Sequence, residues 1–195
     1  MTKEASRDGG KLINQILEIE LDWFLTVNPT LTSECQQHPE AFKLMRSSTF
    51  ETWSEDTLVL YLEHLVDARS KGRNLMREKY AKIAKLAPCE NFSSVPNECV
   101  EIQERWQEEA RHKYPRIFRE GAEGEFASYL RCELDTYSPA VLESYLNDLK
   151  AALLEGRNLV IKTYDRIAKK LGYSSLEEWH QQRAVTGNHG KFGSL

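Results

Sequence analysis

This sequence has no long apolar run. None of its windows approaches the roughly 18–20 consecutive apolar residues of a membrane-spanning helix. Its opening stretch, MTKEASRDGGK, is polar where a secretory signal carries an apolar core. The expectation is a cytoplasmic protein that does not enter a membrane. Cysteine is scarce, with four residues at 35, 89, 99 and 132 and no CxxC pair, which argues against a zinc ribbon or a thioredoxin-type redox motif. In a reducing compartment such cysteines are expected as free, buried thiols. Basic charge is not in excess either: 26 Lys and Arg stand against 30 Asp and Glu, a net charge of −4. That balance offers no footprint for nucleic acid or an anionic lipid surface. What remains is a 195-residue chain, 41% hydrophobic and 29% charged, ordinary for a globular protein and long enough to bury a core without disulfides or metal.

What the chain does have is internal likeness. Shifted by 84 residues, 54–86 matches 138–170 at 14 of 33 positions, where unrelated sequences of ordinary composition would share about two. The matched pairs include Ser54/Ser138, Tyr61/Tyr145, Tyr80/Tyr164 and the run Gly72-Arg73-Asn74-Leu75 against Gly156-Arg157-Asn158-Leu159. Upstream the likeness continues with small gaps: LEIELDW against VEIQERW aligns Glu18 with Glu101, and MRSSTFETW against LRCELDTY aligns Arg46 with Arg131 and Trp53 with Tyr137. A repeated unit this long is no solenoid repeat. It implies two tandem pseudo-symmetric helical repeats about an approximate twofold, an internal version of a homodimer.

Each unit reads as helical, because its matched apolar positions step by three and four with no strand alternation. The first helices are expected over 11–27 and 96–112, the second over 39–48 and 123–134, and a long third helix over 54–86 and 138–171. Ser54 and Ser138 fit N-cap positions, and Pro139 fits the first turn. A last helix begins at SSLEEWHQQ, with Ser174 and Glu177 at capping-box spacing. The organisation expected is one all-α domain over 1–185: repeat one at about 11–86, a linker at 87–95, repeat two at about 96–171 and an end helix at 174–184. A flexible tail follows at 186–195.

The Gly-Arg-Asn-Leu segment admits three readings. The helix breaks there, with Gly72 just past one segment and Asn74 capping the next. Alternatively, the helix is buried on both sides and Asn74 satisfies a neighbour's backbone. In the third, Arg73 and Asn74 reach into a cleft that binds an anion. Candidate ligand-binding residues are therefore Arg46, Arg131, Arg73, Arg157, Asn74 and Asn158, since arginine recognises carboxylates and phosphates. Candidate catalytic residues are Glu18 and Glu101, as facing carboxylates, and Cys35, close in sequence to His38. The alternative for the two acids is a buried pair with Arg46 and Arg131. No metal site is expected: Glu-x-x-His spacing is missing from the repeated helices and occurs once, at Glu177–His180, without a second copy. No cofactor follows from any motif. The repeated aromatics Trp23, Trp53, Trp106, Tyr61, Tyr137 and Tyr145 are expected in the core.

Taken together, EIELDWF, the Cys35–Gln36 pair, FKLMRSSTFETW, KGRNLMREKYA, YLRCELDTYS and YSSLEEW resemble a bacterial family, the domain of unknown function 4125 family, from about residue 13 to 179. One stretch departs from the family pattern: PTLTSECQ stands where a Gly-Gly-Arg-Ala segment leads into the Cys-Gln pair. The resemblance implies a bacterial, cytoplasmic, all-helical protein and carries no established activity. Two functions are consistent with the residues. The first is a small anionic-ligand site in a cleft at the pseudo-twofold. The alternative is a non-catalytic helical interaction or scaffold module whose repeated polar residues are structural. The sequence leaves open whether the protein is an enzyme.

Overall fold

The computed structural model describes residues 2–27, 38–86, 94–118 and 123–186. These residues are all-helical, with no strand among them. In chain order the helices are α1 (Thr2–Leu25), α2 (Pro39–Phe50), α3 (Glu55–Ser70), α4 (Leu75–Ile83), α5 (Val95–Lys113), α6 (Glu123–Leu134), α7 (Pro139–Leu154), α8 (Leu159–Lys170) and α9 (Leu176–Thr186). The first helix begins at Thr2 rather than near residue 11. The expected tail, apart from Thr186 at the end of α9, lies outside the described residues, as do Cys35 and most of the expected linker.

Local chemistry sets the helix ends. Ser54 Oγ accepts the Thr57 N–H at 3.2 Å, and Ser138 Oγ accepts the Val141 N–H at 3.4 Å, so both serines are N-caps as expected. The end helix starts one residue later than its spacing suggested. Ser175, not Ser174, is the cap that accepts the Glu178 N–H at 3.2 Å, and Glu178 rather than Glu177 reaches back, to the Ser174 N–H at 2.6 Å.

The expected long third helix is two helices. Gly72 takes φ +69° and Gly156 φ +64°, in the left-handed region that glycine occupies without a Cβ penalty. At each, two turn hydrogen bonds close the preceding helix: Gly72 N–H to Arg69 O and Arg73 N–H to Ala68 O, then Gly156 N–H to Leu153 O and Arg157 N–H to Ala152 O. This is the Schellman arrangement. The next residue but one restarts the helix: Asn74 Oδ1 accepts the Arg77 N–H at 2.9 Å, and Asn158 Oδ1 accepts the Ile161 N–H at 3.0 Å. The other end of each amide ties to the first helix of its half. Asn74 donates to Trp23 O and Thr26 Oγ1, and Asn158 donates to Trp106 O and Glu109 Oε2. Of the three readings of this segment the helix break is the one found, and the same amide also satisfies a neighbouring helix's carbonyl.

Both glycines are exposed, and a Cβ at either would meet nothing within 4 Å. An alanine there is therefore costly only through its φ. Gly156→Ala is expected to lower the unfolding free energy by about 1–2 kcal/mol, readable in urea melts. A leucine should cost no more than the alanine, because there is no neighbour to overpack.

The packing follows from the apolar faces. α1 packs against α2, α3 and α4, and α5 against α6, α7 and α8. Between the halves α3 meets α7, α2 meets α8 and α4 meets α6, while α9 lies on α8. One hydrophobic cluster runs through these contacts, with Ile16, Phe24, Phe50, Leu65, Leu134, Leu142, Leu149 and Ile167 all but fully buried. Trp53 sits among Tyr61, Tyr137 and Tyr145 at ring distances of 5.4, 6.3 and 4.9 Å. The repeated aromatics are core.

Candidate functional site

Directly beneath that aromatic cluster lies a buried ionic network. Arg46 on α2 holds Glu20 of α1 with both prongs, Nε to Oε2 at 2.8 Å and Nη2 to Oε1 at 2.5 Å. Its third nitrogen, Nη1, donates to Glu133 Oε1 of α6 at 2.7 Å. Lys79 of α4 donates to Glu133 Oε2 at 2.7 Å and stands over the Tyr129 ring at 3.9 Å. The hydroxyls of Tyr61 and Tyr137 complete it, donating to Glu20 at 2.7 Å and to Glu133 at 2.9 Å. Glu20 is wholly buried, Lys79 is 3% exposed and Glu133 is 8% exposed. Two cations face two anions, so the cluster is neutral, and every charge has a hydrogen-bonded partner, as burial requires.

The electrostatics follow from that geometry. Burial alone would raise the Glu133 carboxyl, but Arg46 and Lys79 outweigh it and hold the pKa below the usual carboxylate range. Burial would lower Arg46, but Glu133 and Glu20 hold its guanidinium well above its ordinary value. Tyr61 and Tyr137 are pushed up, first by burial and then by the carboxylates beside them, so they serve as donors. None of Glu133, Arg46, Tyr61 and Tyr137 is poised to exchange a proton near neutral pH.

Open space lies elsewhere. A hollow of about 910 Å³ runs between α1, α2 and α8, lined by the apolar Ile13, Leu17, Leu44 and Leu171 and the polar Asn14, Lys43, Ser47 and Lys170 among others. A second hollow of about 370 Å³ lies beside the turn into α8, lined by Trp53, Ser54, Asp148, Arg157, Leu159 and Lys162 among others. Glu51 and Arg166 line both. Glu51 takes Arg166 Nε at 3.1 Å and Lys170 Nζ at 2.6 Å, and Lys162 has no ion-pair partner among the described residues.

The sequence candidates scatter across this map. Arg46 is in the buried network. Arg131 turns to Asn97 at 3.0 Å and Asp135 at 3.4 Å. Arg73 forks onto Glu78 at 2.9 and 2.6 Å, Arg157 pairs with Glu155, and Asn74 and Asn158 are caps. Of the six, Arg157 alone lines either of these two hollows. Glu18 and Glu101 are exposed, so neither is the buried partner of Arg46 or Arg131; Glu20 takes that role for Arg46. Among the described cysteines Cys99 and Cys132 are buried, and burial, with Glu98 adding to it, pushes the Cys99 thiol up to about 12, out of reach as a thiolate nucleophile. Among the described residues no three His, Cys, Asp or Glu side chains converge as metal ligands, and Glu177 bonds to Gln181. No helix among them is long and apolar enough to cross a membrane.

A family model described as "Protein of unknown function (DUF4125)" matches residues 10–181. The chain belongs to the DUF4125 family. No curated protein matches it, and no solved structure does. The match spans α1 from residue 10 through the first half of α9, and so takes in all six residues of the buried network and both hollows of this DUF4125 chain.

Three of the network's residues, Glu20, Lys79 and Glu133, are invisible to a search for identical repeat positions. Glu20 aligns with Gln103, Lys79 with Thr163 and Glu133 with Ser48. The signal was the apolar stripe itself: Ile13, Ile16, Glu20, Trp23 and Val27 step along one face of α1, and an acid within that stripe has to be paired.

Proposed function

We propose that this protein binds a small anionic ligand in the groove formed by the two adjoining hollows, within a single domain of two repeats related by an approximate twofold, in a bacterial cytoplasm. The observation that carries the site is charge. Lys43, Arg157, Lys162, Arg166 and Lys170 line the groove against Glu40, Glu51 and Asp148, and with Glu155, the partner of Arg157, the local surplus is one positive charge on a chain whose net charge is −4. A concave cationic surface concentrates anions. The buried network is assigned a different role, as an internally neutral strut. The twofold is supported by the pattern of contacts. α1 and α5 each gather the three helices that follow, α3 and α7 meet each other, and the α2–α8 and α4–α6 contacts exchange under the repeat. The ion pairs Arg166–Glu51 and Lys82–Asp135 occupy positions related by the same 84-residue shift.

The test is a thermal-shift titration with inorganic phosphate. Phosphate is expected to raise the melting temperature with the mass-action dependence of a ligand that binds the folded state. Arg157→Ala is expected to melt close to wild type without phosphate and to lose most of the increment. Arg73→Ala, whose side chain lines neither hollow, is expected to keep it. A second reading has one observation in its favour: each of Arg46, Arg73, Arg131 and Arg157 has an acidic partner. In that reading the chain is a non-catalytic helical interaction module, and neither phosphate nor any other small anion shifts its melt.

A further inference from the structure

The two hollows differ in chemistry, and they meet. The larger is lined by the apolar residues Ile13, Leu17, Leu44 and Leu171 among others. The smaller presents Arg157 and Lys162. Arg166 stands where they join, since it lines both. Resting on the reading of the groove as an anion site, we propose that its ligand is a monomeric amphiphile, an anionic head of the carboxylate or phosphate-monoester class on an aliphatic body several carbons long.

Each part of the groove selects one part of that ligand. A bare inorganic anion would pair with Lys162, which has no ion-pair partner among the described residues, and leave Leu17, Leu44 and Leu171 in water. A neutral apolar molecule would cover those leucines and leave Lys162 without a counter-charge. Leu17, Leu44 and Leu171 are only half-buried, so apolar surface is still available to be covered, and covering it is favourable in proportion to its area. The larger hollow, about 910 Å³, falls within the range of about 300–1,000 Å³ typical of small-molecule sites.

The experiment is isothermal titration calorimetry with octyl phosphate below its micelle concentration, set beside inorganic phosphate, octyl glucoside and sedimentation with phosphatidic-acid vesicles. Octyl phosphate is expected to bind more than about tenfold tighter than inorganic phosphate, because several methylenes are buried. Leu17→Gln, a half-buried position that accepts a good helix former, is expected to remove that gain and leave the affinity for inorganic phosphate unchanged. Arg157→Ala is expected to weaken both. If octyl phosphate binds no tighter than inorganic phosphate, the amphiphile is wrong and the anion site stands. If octyl glucoside binds as tightly as octyl phosphate, the groove is an apolar site and the anion reading falls as well. Binding seen only with vesicles would overturn the monomeric ligand, and no binding of any kind would overturn both readings.

Discussion

Arg46→Met is expected to lower the unfolding free energy by about 3–5 kcal/mol. The substitution keeps the length of the side chain and its packing over the Phe50 ring, 4.6 Å away, and removes three charge-assisted donors at once. Glu133 retains Lys79 and Tyr137. Glu20 retains the Tyr61 hydroxyl and is wholly buried, so its charge loses its compensating cation. In the wild type, Glu133 titrates below its unfolded value of about 4.3, so its contribution is complete above that pH and is lost as the pH falls below it toward the folded value. Urea melts at pH 7, where that contribution is complete, read the loss. A variant within about 1 kcal/mol of wild type at pH 7 would show that the cluster is not held by Arg46.

The second large effect is a coupling. Glu133→Gln is expected to cost about 3–5 kcal/mol, since it leaves Lys79, 3% exposed, without an anion. Lys79→Met is expected to cost less, because Glu133 keeps Arg46. In the double variant the bidentate Arg46–Glu20 pair remains and no buried charge is unpaired. The two losses should therefore fall short of adding by about 2–3 kcal/mol. Strict additivity would mean that the Lys79–Glu133 contact, 2.7 Å in the structure, contributes nothing. The positions aligned with Glu20, Glu133 and Lys79 show why such a change is tolerable. They carry Gln103, Ser48 and Thr163, and Gln103 simply donates to the Tyr145 hydroxyl.

Helical class, the serine caps and the aromatic core were legible because each rests on local spacing. The break at Gly72 was legible only as one option. The apolar step of three and four continues across it, and the period cannot register a turn that returns the chain to the same face. The buried network was not legible through the repeat, because matching favours residues kept in both copies, and Glu20, Lys79 and Glu133 are its charged members that differ, besides Tyr137, which stands opposite Trp53. Glu18 and Glu101 were matched and turned out exposed. Two residues along α1 separates an outward carboxylate from an inward one, about 200° around the helix. The groove was hidden for another reason. Its cations come from α2, the α7–α8 turn and α8, and only the α2–α8 contact brings them together. Arg157 was among the sequence candidates, and Lys162, Arg166 and Lys170 were not, since none has an identical partner at the 84-residue shift.

The account places ligand binding in the cationic groove and leaves the buried ionic network closed. The most direct measurement is an amide NMR titration of the isotope-labelled chain with inorganic phosphate. The account predicts saturable shifts at Arg157, Lys162, Arg166 and Lys170, with Glu20, Arg46, Lys79 and Glu133 unmoved. Shifts centred on those last four residues, with the groove silent, would contradict it.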